Sequence, residues 1–185
     1  MTGATRLLEA LATRAAVDIV DLASAAVTIS RIPYGRSSSA SPEAVIAEWR
    51  GTCTTKHLLL AAVATEVDTT AAMRLVHRVY RLSHEDAAAR WGGDVASTVP
   101  NSGLIDVHTY AQLRREDRVI PVDVTFPLED WDGKAPTLLA CMAGRDFDAG
   151  TDPVATKAEL VRRWCDPPQR ERFIAALTQH SRSSA

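Results

Sequence analysis

A cysteine at a helix start, a histidine on a strand and an aspartate on the next strand are the residue types of nucleophilic catalysis. Cys53, His108 and Asp123 stand in that order along the chain. Cys53 follows Gly51 and Thr52 where an apolar helical segment begins. The unpaired N–H groups and positive dipole end of a helix N-terminus favour a thiolate over a thiol. First-turn amides can also form part of an oxyanion hole, and Gly51 would permit close approach of a substrate backbone. A thiol nucleophile needs a base, and the base an orienting group. If a hairpin turn centres between Arg115 and Glu116, His108 and Asp123 lie directly opposite one another, with Cβ atoms roughly 5 Å apart. The chemistry predicted is attack of Cys53 on an amide, ester or thioester carbonyl, with His108 moving the proton and Asp123 holding the imidazole.

Other residues are candidates for the surroundings of this site. Tyr34, in the turn Ile32-Pro33-Tyr34-Gly35, is a candidate second oxyanion donor. Lys56 and His57 are expected near the site or on a substrate carboxylate, and Tyr110, on the His108 strand, is a candidate oxyanion or substrate-binding residue. Cys53 and His57 are also spaced to share a helix face, as zinc ligands can be, but no second close ligand pair is visible and no metal is assigned. Cys141 and Cys165 read as structural thiols, and His77, His84 and His180 have no evident partners.

These residues need positioning elements. Apolar positions Leu7, Leu8, Leu11, Ala15, Ile19 and Leu22 predict a helix over 5–30. A loop over 36–42 leads to a short helix from Glu43 to Trp49 with Ser41 as its cap. A helix from Thr52 to Val67, apolar nearly all round, is expected at the centre of the molecule. Strands are predicted over Met73–Leu82, Ile105–Leu113 and Arg118–Phe126, with Pro121 demanding an edge position. The segment 83–102 reads as a loop with room for a short helix, with Gly92-Gly93 suiting it to act as a lid. Residues 127–155 read as loop, Lys157–Cys165 and Arg170–Gln179 as helices separated by Pro167-Pro168, and Ser181–Ala185 as a tail. The order of helices, strands and helices predicts an α+β domain spanning 1–185, its core at about 43–126.

Composition narrows the function classes. The 185 residues carry 21 Lys+Arg against 23 Asp+Glu, a net charge of −2, which does not suit electrostatic binding of nucleic acid or an anionic membrane. No stretch approaches the ~20 apolar residues of a membrane span. Arg6, Glu9 and Arg14 interrupt the N-terminal apolar residues, so no secretory leader is expected. Three cysteines fit free thiols in a reducing cytoplasm.

The chain resembles the transglutaminase-like superfamily of papain-like thiol enzymes. The resemblance rests on Arg50-Gly51-Thr52-Cys53-Thr54-Thr55-Lys56-His57, on Val107-His108-Thr109-Tyr110 and on Ile120-Pro121-Val122-Asp123-Val124-Thr125. It implies a papain/transglutaminase-like core, with a central Cys-bearing helix packed on a small antiparallel sheet that bears the His and Asp. Cys53 is then the nucleophile, His108 the general base and Asp123 its orienting residue. Thr54 and Tyr110 stand where the family often has an aromatic residue and a tryptophan. The implied substrates are a peptide, a protein side-chain amide or a small acyl compound, by a peptidase, deamidase or transglutaminase-type reaction needing no organic cofactor. Arg50-Gly51-Thr52-Cys53 and Val122-Asp123-Val124 are also similar to arylamine N-acetyltransferases. The alternatives are that activity, a biosynthetic thioester-dependent acyl transfer, and a non-catalytic binding module on the same fold.

Overall fold

The computed structural model describes residues 6–68, 72–115 and 117–183. The N-terminal helical region is two helices, α1 (Leu7–Ala15) and α2 (Leu22–Ser30), not one. α1 stops where Ala16 turns left-handed at φ 55°. α2 restarts on a reciprocal cap: Ser24 N donates to the Asp21 carboxylate at 2.8 Å, and Asp21 N donates to Ser24 Oγ at 3.1 Å. Such a cap satisfies free helix-end N–H groups, so the apolar spacing continues across a real break. α3 (Pro42–Glu48) opens as expected, with Ala44 N donating to Ser41 Oγ at 3.2 Å. α4 (Cys53–Val67) is the central helix, buried on most of its sides.

The strands β1 (Ala72–Leu82), β2 (Leu104–Arg115), β3 (Arg118–Val122) and β4 (Gly144–Asp148) form one four-stranded antiparallel sheet in the order β3-β2-β1-β4. The fold is therefore α+β. Pro121 sits in β3, an edge strand, where its missing N–H costs no ladder bond. An apolar core with Leu11, Ile29, Val45, Leu60 and Leu113 joins the N-terminal helices to the sheet. A second, with Tyr80, Leu82, Trp91, Leu104 and Phe173, joins the sheet to α5 (His84–Ala96) and α7 (Pro167–Ser183).

Several expectations change. The segment 83–102 is mostly α5, a helix longer than the short one expected within a loop: Asp86 N donates to the Ser83 cap at 3.0 Å, and Trp91 packs edge-on against Phe173 at 5.8 Å. Gly92, at φ 81°, kinks the helix, so the glycine pair marks a bend between packed turns. Residues 127–155 contain β4, which pairs with β1 and is pinned by Arg78 on Asp146 at 2.6 Å. Pro153 and Pro167 lie in the first turns of α6 (Pro153–Trp164) and α7, where a proline lacks no bond the helix needs. Helix α7 thus begins before Arg170 and continues to Ser183, into the expected tail, whose last two positions lie outside the described residues. β3 stops at Val122 instead of running to Phe126. Among the described residues no helix is long and apolar enough to cross a membrane.

Candidate active site

Cys53 is the first residue of α4, held there by Thr52 N donating to Thr55 Oγ1 at 2.8 Å. The strand-like segment around Tyr34 runs against Gly51: Gly51 N donates to Pro33 O at 3.1 Å, and Gly35 N to Gly51 O at 3.2 Å. A Cβ on Gly51 would lie 2.8 Å from Lys56 Cγ and 3.1 Å from Thr55 Oγ1. Gly51 therefore serves the packing that brings Tyr34 beside α4, and not the approach of a substrate backbone.

His108 and Asp123 meet, but not in the expected register. Arg115 pairs with Arg118 and Ala111 with Val122, so the ladder is two residues off and would set Thr125 across from His108. A slip of two keeps each side chain on its face. Asp123, just past the end of β3, then reaches His108 diagonally, with Nε2 to Oδ2 at 2.7 Å. The carboxylate is fixed on all sides: Thr125 N donates to Oδ1 at 2.9 Å and Ala140 N to Oδ2 at 2.8 Å. With Nε2 committed to Asp123, Nδ1 is the ring nitrogen left to act on Cys53, whose pKa His108 lowers. Successive strand residues face opposite ways, yet Thr54 bonds Thr109 while Cys53 meets His108. The β2–β3 ladder ends at Ala111 and Val122, short of His108 and Thr109.

A residue that sequence reasoning missed completes the cluster. Lys157 of α6 is buried, and its ammonium donates to Cys53 Sγ at 3.0 Å, Thr54 Oγ1 at 2.9 Å and Thr109 Oγ1 at 3.3 Å. Three acceptors match its three N–H bonds. α6 is placed in turn by His77, whose ring bonds Thr109 Oγ1 at 3.0 Å and Pro153 O at 2.9 Å. A sequence signal existed: Lys157 interrupts the stripe Val154, Ala158, Val161 at helical spacing.

The electrostatics single out one thiol. Burial alone would raise the Cys53 pKa, but the Lys157 charge, then the hydrogen bond and charge of His108, hold it well below the ordinary thiol value. Burial raises Cys141, and raises Cys165 to about 11. His108, which burial would push down, is lifted well above the usual imidazole range, chiefly by the Asp123 carboxylate. Asp123 is itself held far below the usual carboxylate range, because His108 and the backbone donors outweigh its burial. The Cys53 and His108 shifts both favour a Cys53 thiolate beside a His108 imidazolium.

The remaining sequence candidates fall in different places. Tyr34 lines the cavity over Cys53, its ring stacked on Phe126 at 5.7 Å, and burial keeps its hydroxyl protonated. Lys56 and His57 do not face that cavity; both are fully buried. Lys56 Nζ donates to Ser30 O at 2.9 Å and Thr125 O at 2.8 Å, and burial draws its pKa down to about 7. His57 Nε2 accepts from Val124 N at 3.1 Å, so its Nδ1 is the N–H that donates to Cys53 O at 2.6 Å. The ring is neutral, its 3.7 Å approach to Asp123 is no ion pair, and neither nitrogen is left for a metal ion. Lys56 and His57 thus tie α4 to the segment carrying Asp123 and do not bind a substrate carboxylate. Tyr110 points elsewhere, its hydroxyl donating to Asp146 at 3.1 Å beneath Arg78. Among the described residues no group of three His, Cys, Asp or Glu side chains could hold a metal ion.

Cys53 opens into a cavity of about 530 Å³, bounded by Tyr34 and Ile174 on one side and by Val154, Lys157, Ala158 and Val161 of α6 on the other. Comparison with protein-family models, with curated proteins and with solved structures returns no match to this chain.

Proposed function

We propose that this chain is a thiol-dependent acyl-transfer enzyme on a papain/transglutaminase-like core, reacting through a Cys53 acyl-enzyme. The observation that carries the reading is that the one cysteine with a depressed pKa lines a cavity, takes a hydrogen bond from the Lys157 ammonium at 3.0 Å, and owes part of its shift to an imidazole that an aspartate holds at 2.7 Å. Cys53 Sγ attacks the carbonyl carbon of an amide, ester or thioester. The oxygen takes up the negative charge, facing the Cys53 N–H at the start of α4 and the Tyr34 hydroxyl. The His108 imidazolium gives its Nδ1 proton to the leaving group, whose bond to carbon breaks. Neutral His108 then draws a proton from water or an amine, which attacks the thioester and releases Cys53. Asp123 keeps the ring oriented through both steps. Lys157 holds the free thiolate and lets it go as the C–S bond forms.

Intact-mass spectrometry after mixing with a phenyl thioester tests the proposal. One acyl group per chain, mapped to Cys53 and absent in Cys53→Ser and His108→Ala, is the expected result. No adduct with ester, thioester or activated amide donors, together with Cys53 alkylating no faster than Cys141 and Cys165, would leave a non-catalytic binding role in its place.

A further inference from the structure

The walls of the Cys53 cavity are apolar on α6 and α7, through Val154, Ala158, Val161 and Ile174, but its charged residues are all of one sign. Arg36, Lys157, Arg162 and Arg170 line it, and no aspartate or glutamate does. Three of these cations already have partners. Arg36 grips Glu171 through two bonds of 2.7 Å, Arg170 donates to Asp106 at 2.7 Å, and Lys157 is on the Cys53 sulfur. Arg162, which is exposed, has no hydrogen-bond, ion-pair or ring partner among the described residues. It follows Val161 at the far end of the apolar stripe. Five residues along α6 from Lys157 correspond to about 7.5 Å of helix rise.

We infer that the acyl donor carries a carboxylate at the end of a short aliphatic spacer, with its reactive carbonyl at Cys53 and its carboxylate on Arg162. The inference rests on the acyl-transfer reading above and adds the chemical class of the substrate. The spacer covers Val154, Ala158 and Val161, which removes apolar surface from water. The guanidinium offers two parallel N–H bonds to the carboxylate. A neutral acyl chain of the same length would gain nothing from Arg162, and a donor with a terminal ammonium would face a cationic wall.

The experiment compares two phenyl thioesters, one of hexanoic acid and one a mono-thioester of adipic acid, so that the donors differ in the terminal carboxylate. The rate of Cys53 acylation is followed by mass spectrometry in wild type, Arg162→Gln and Arg163→Gln. Arg163 lies over the Trp164 ring and does not line the cavity, so its substitution removes an equal charge nearby. A preference for the adipyl donor of about twofold to fivefold is expected in kcat/KM, as for a carboxylate paired with an exposed arginine. It should arise in KM, shrink in high salt, fall towards one in Arg162→Gln and survive in Arg163→Gln. Equal acylation by both donors in wild type, or an equal loss of preference in the two variants, would overturn the inference and leave acyl transfer standing. Acylation by neither donor would overturn the inference, and the acyl-transfer reading falls with it if ester and activated amide donors also fail and Cys53 alkylates no faster than Cys141 and Cys165.

Discussion

Replacing Lys157 with methionine removes an ammonium 3.0 Å from Cys53 Sγ while keeping an apolar stem of similar length. At an effective dielectric near 20, two unit charges at that separation attract by about 5–6 kcal/mol. That is an upper bound, because water and the Thr54 and Thr109 hydroxyls would solvate the thiolate once the ammonium is gone. A charge-assisted hydrogen bond nets about 1.5–3 kcal/mol. Since a pKa change of one corresponds to about 1.4 kcal/mol, the Cys53 pKa should rise by about one to two in Lys157→Met. Lys157→Arg, which keeps the charge, should move it by much less. The assay is the pH dependence of iodoacetamide labelling, resolved peptide by peptide, with Cys141 and Cys165 as internal standards. Circular dichroism and a thermal melt establish that each variant is folded. A folded Lys157→Met titrating where the wild type does would mean that the helix start and His108 alone set the thiolate. Equal increases in both variants would trace the effect to packing, not charge.

Asp123→Asn sets an NH2 group against one of the donors Thr125 N, Ala140 N and His108 Nε2, which the carboxylate now accepts. It should cost about 1–3 kcal/mol in urea unfolding and lower the imidazole pKa read by NMR; an unchanged pKa would refute the coupling. His77 is buried between Thr109 and Pro153, and burial pushes its pKa down to about 4. Between about 4 and the unfolded value of about 6.5, the unfolded chain binds a proton that the native chain does not. Stability should therefore fall as pH drops through that window, more steeply in wild type than in His77→Gln; parallel urea midpoints against pH would contradict this. Lys56 is drawn down to about 7 against an ordinary value of 10.5. Above 7 the native lysine is neutral while the unfolded one stays charged, so wild type should gain a few kcal/mol relative to Lys56→Met between about pH 7 and 10. A constant difference would show that Lys56 stays protonated in the fold.

The order Cys53, His108, Asp123 was legible in the sequence because each part has a local signature. A glycine and threonine precede an apolar helix, and two strands flank a charged turn. Period-two alternation kept His108 and Asp123 on one face even though the turn placed the register two residues away. The Asp21 to Ser24 cap that splits the first helix was equally local, and periodicity alone passed over it. The Ser83 cap of α5 was local too, but the polar, glycine-containing composition of 83–102 masked it. Other features had no local signature. β4, Gly-Arg-Asp-Phe-Asp, is a strand only because β1 offers it a ladder and Arg78 a partner for Asp146. Lys56 and His57 lie close to Cys53 in sequence, yet the helix turns them into the core, where backbone carbonyls and an amide take their polar atoms. Lys157 stands 104 residues from Cys53, and only the packing of α6 on β2 brings its ammonium to the sulfur. Sequence thus determined which residue types could carry out acyl chemistry and on which elements they lie. The tertiary structure decided which charges surround the thiol, because burial and Coulomb attraction depend on distances between segments that the chain order does not contain.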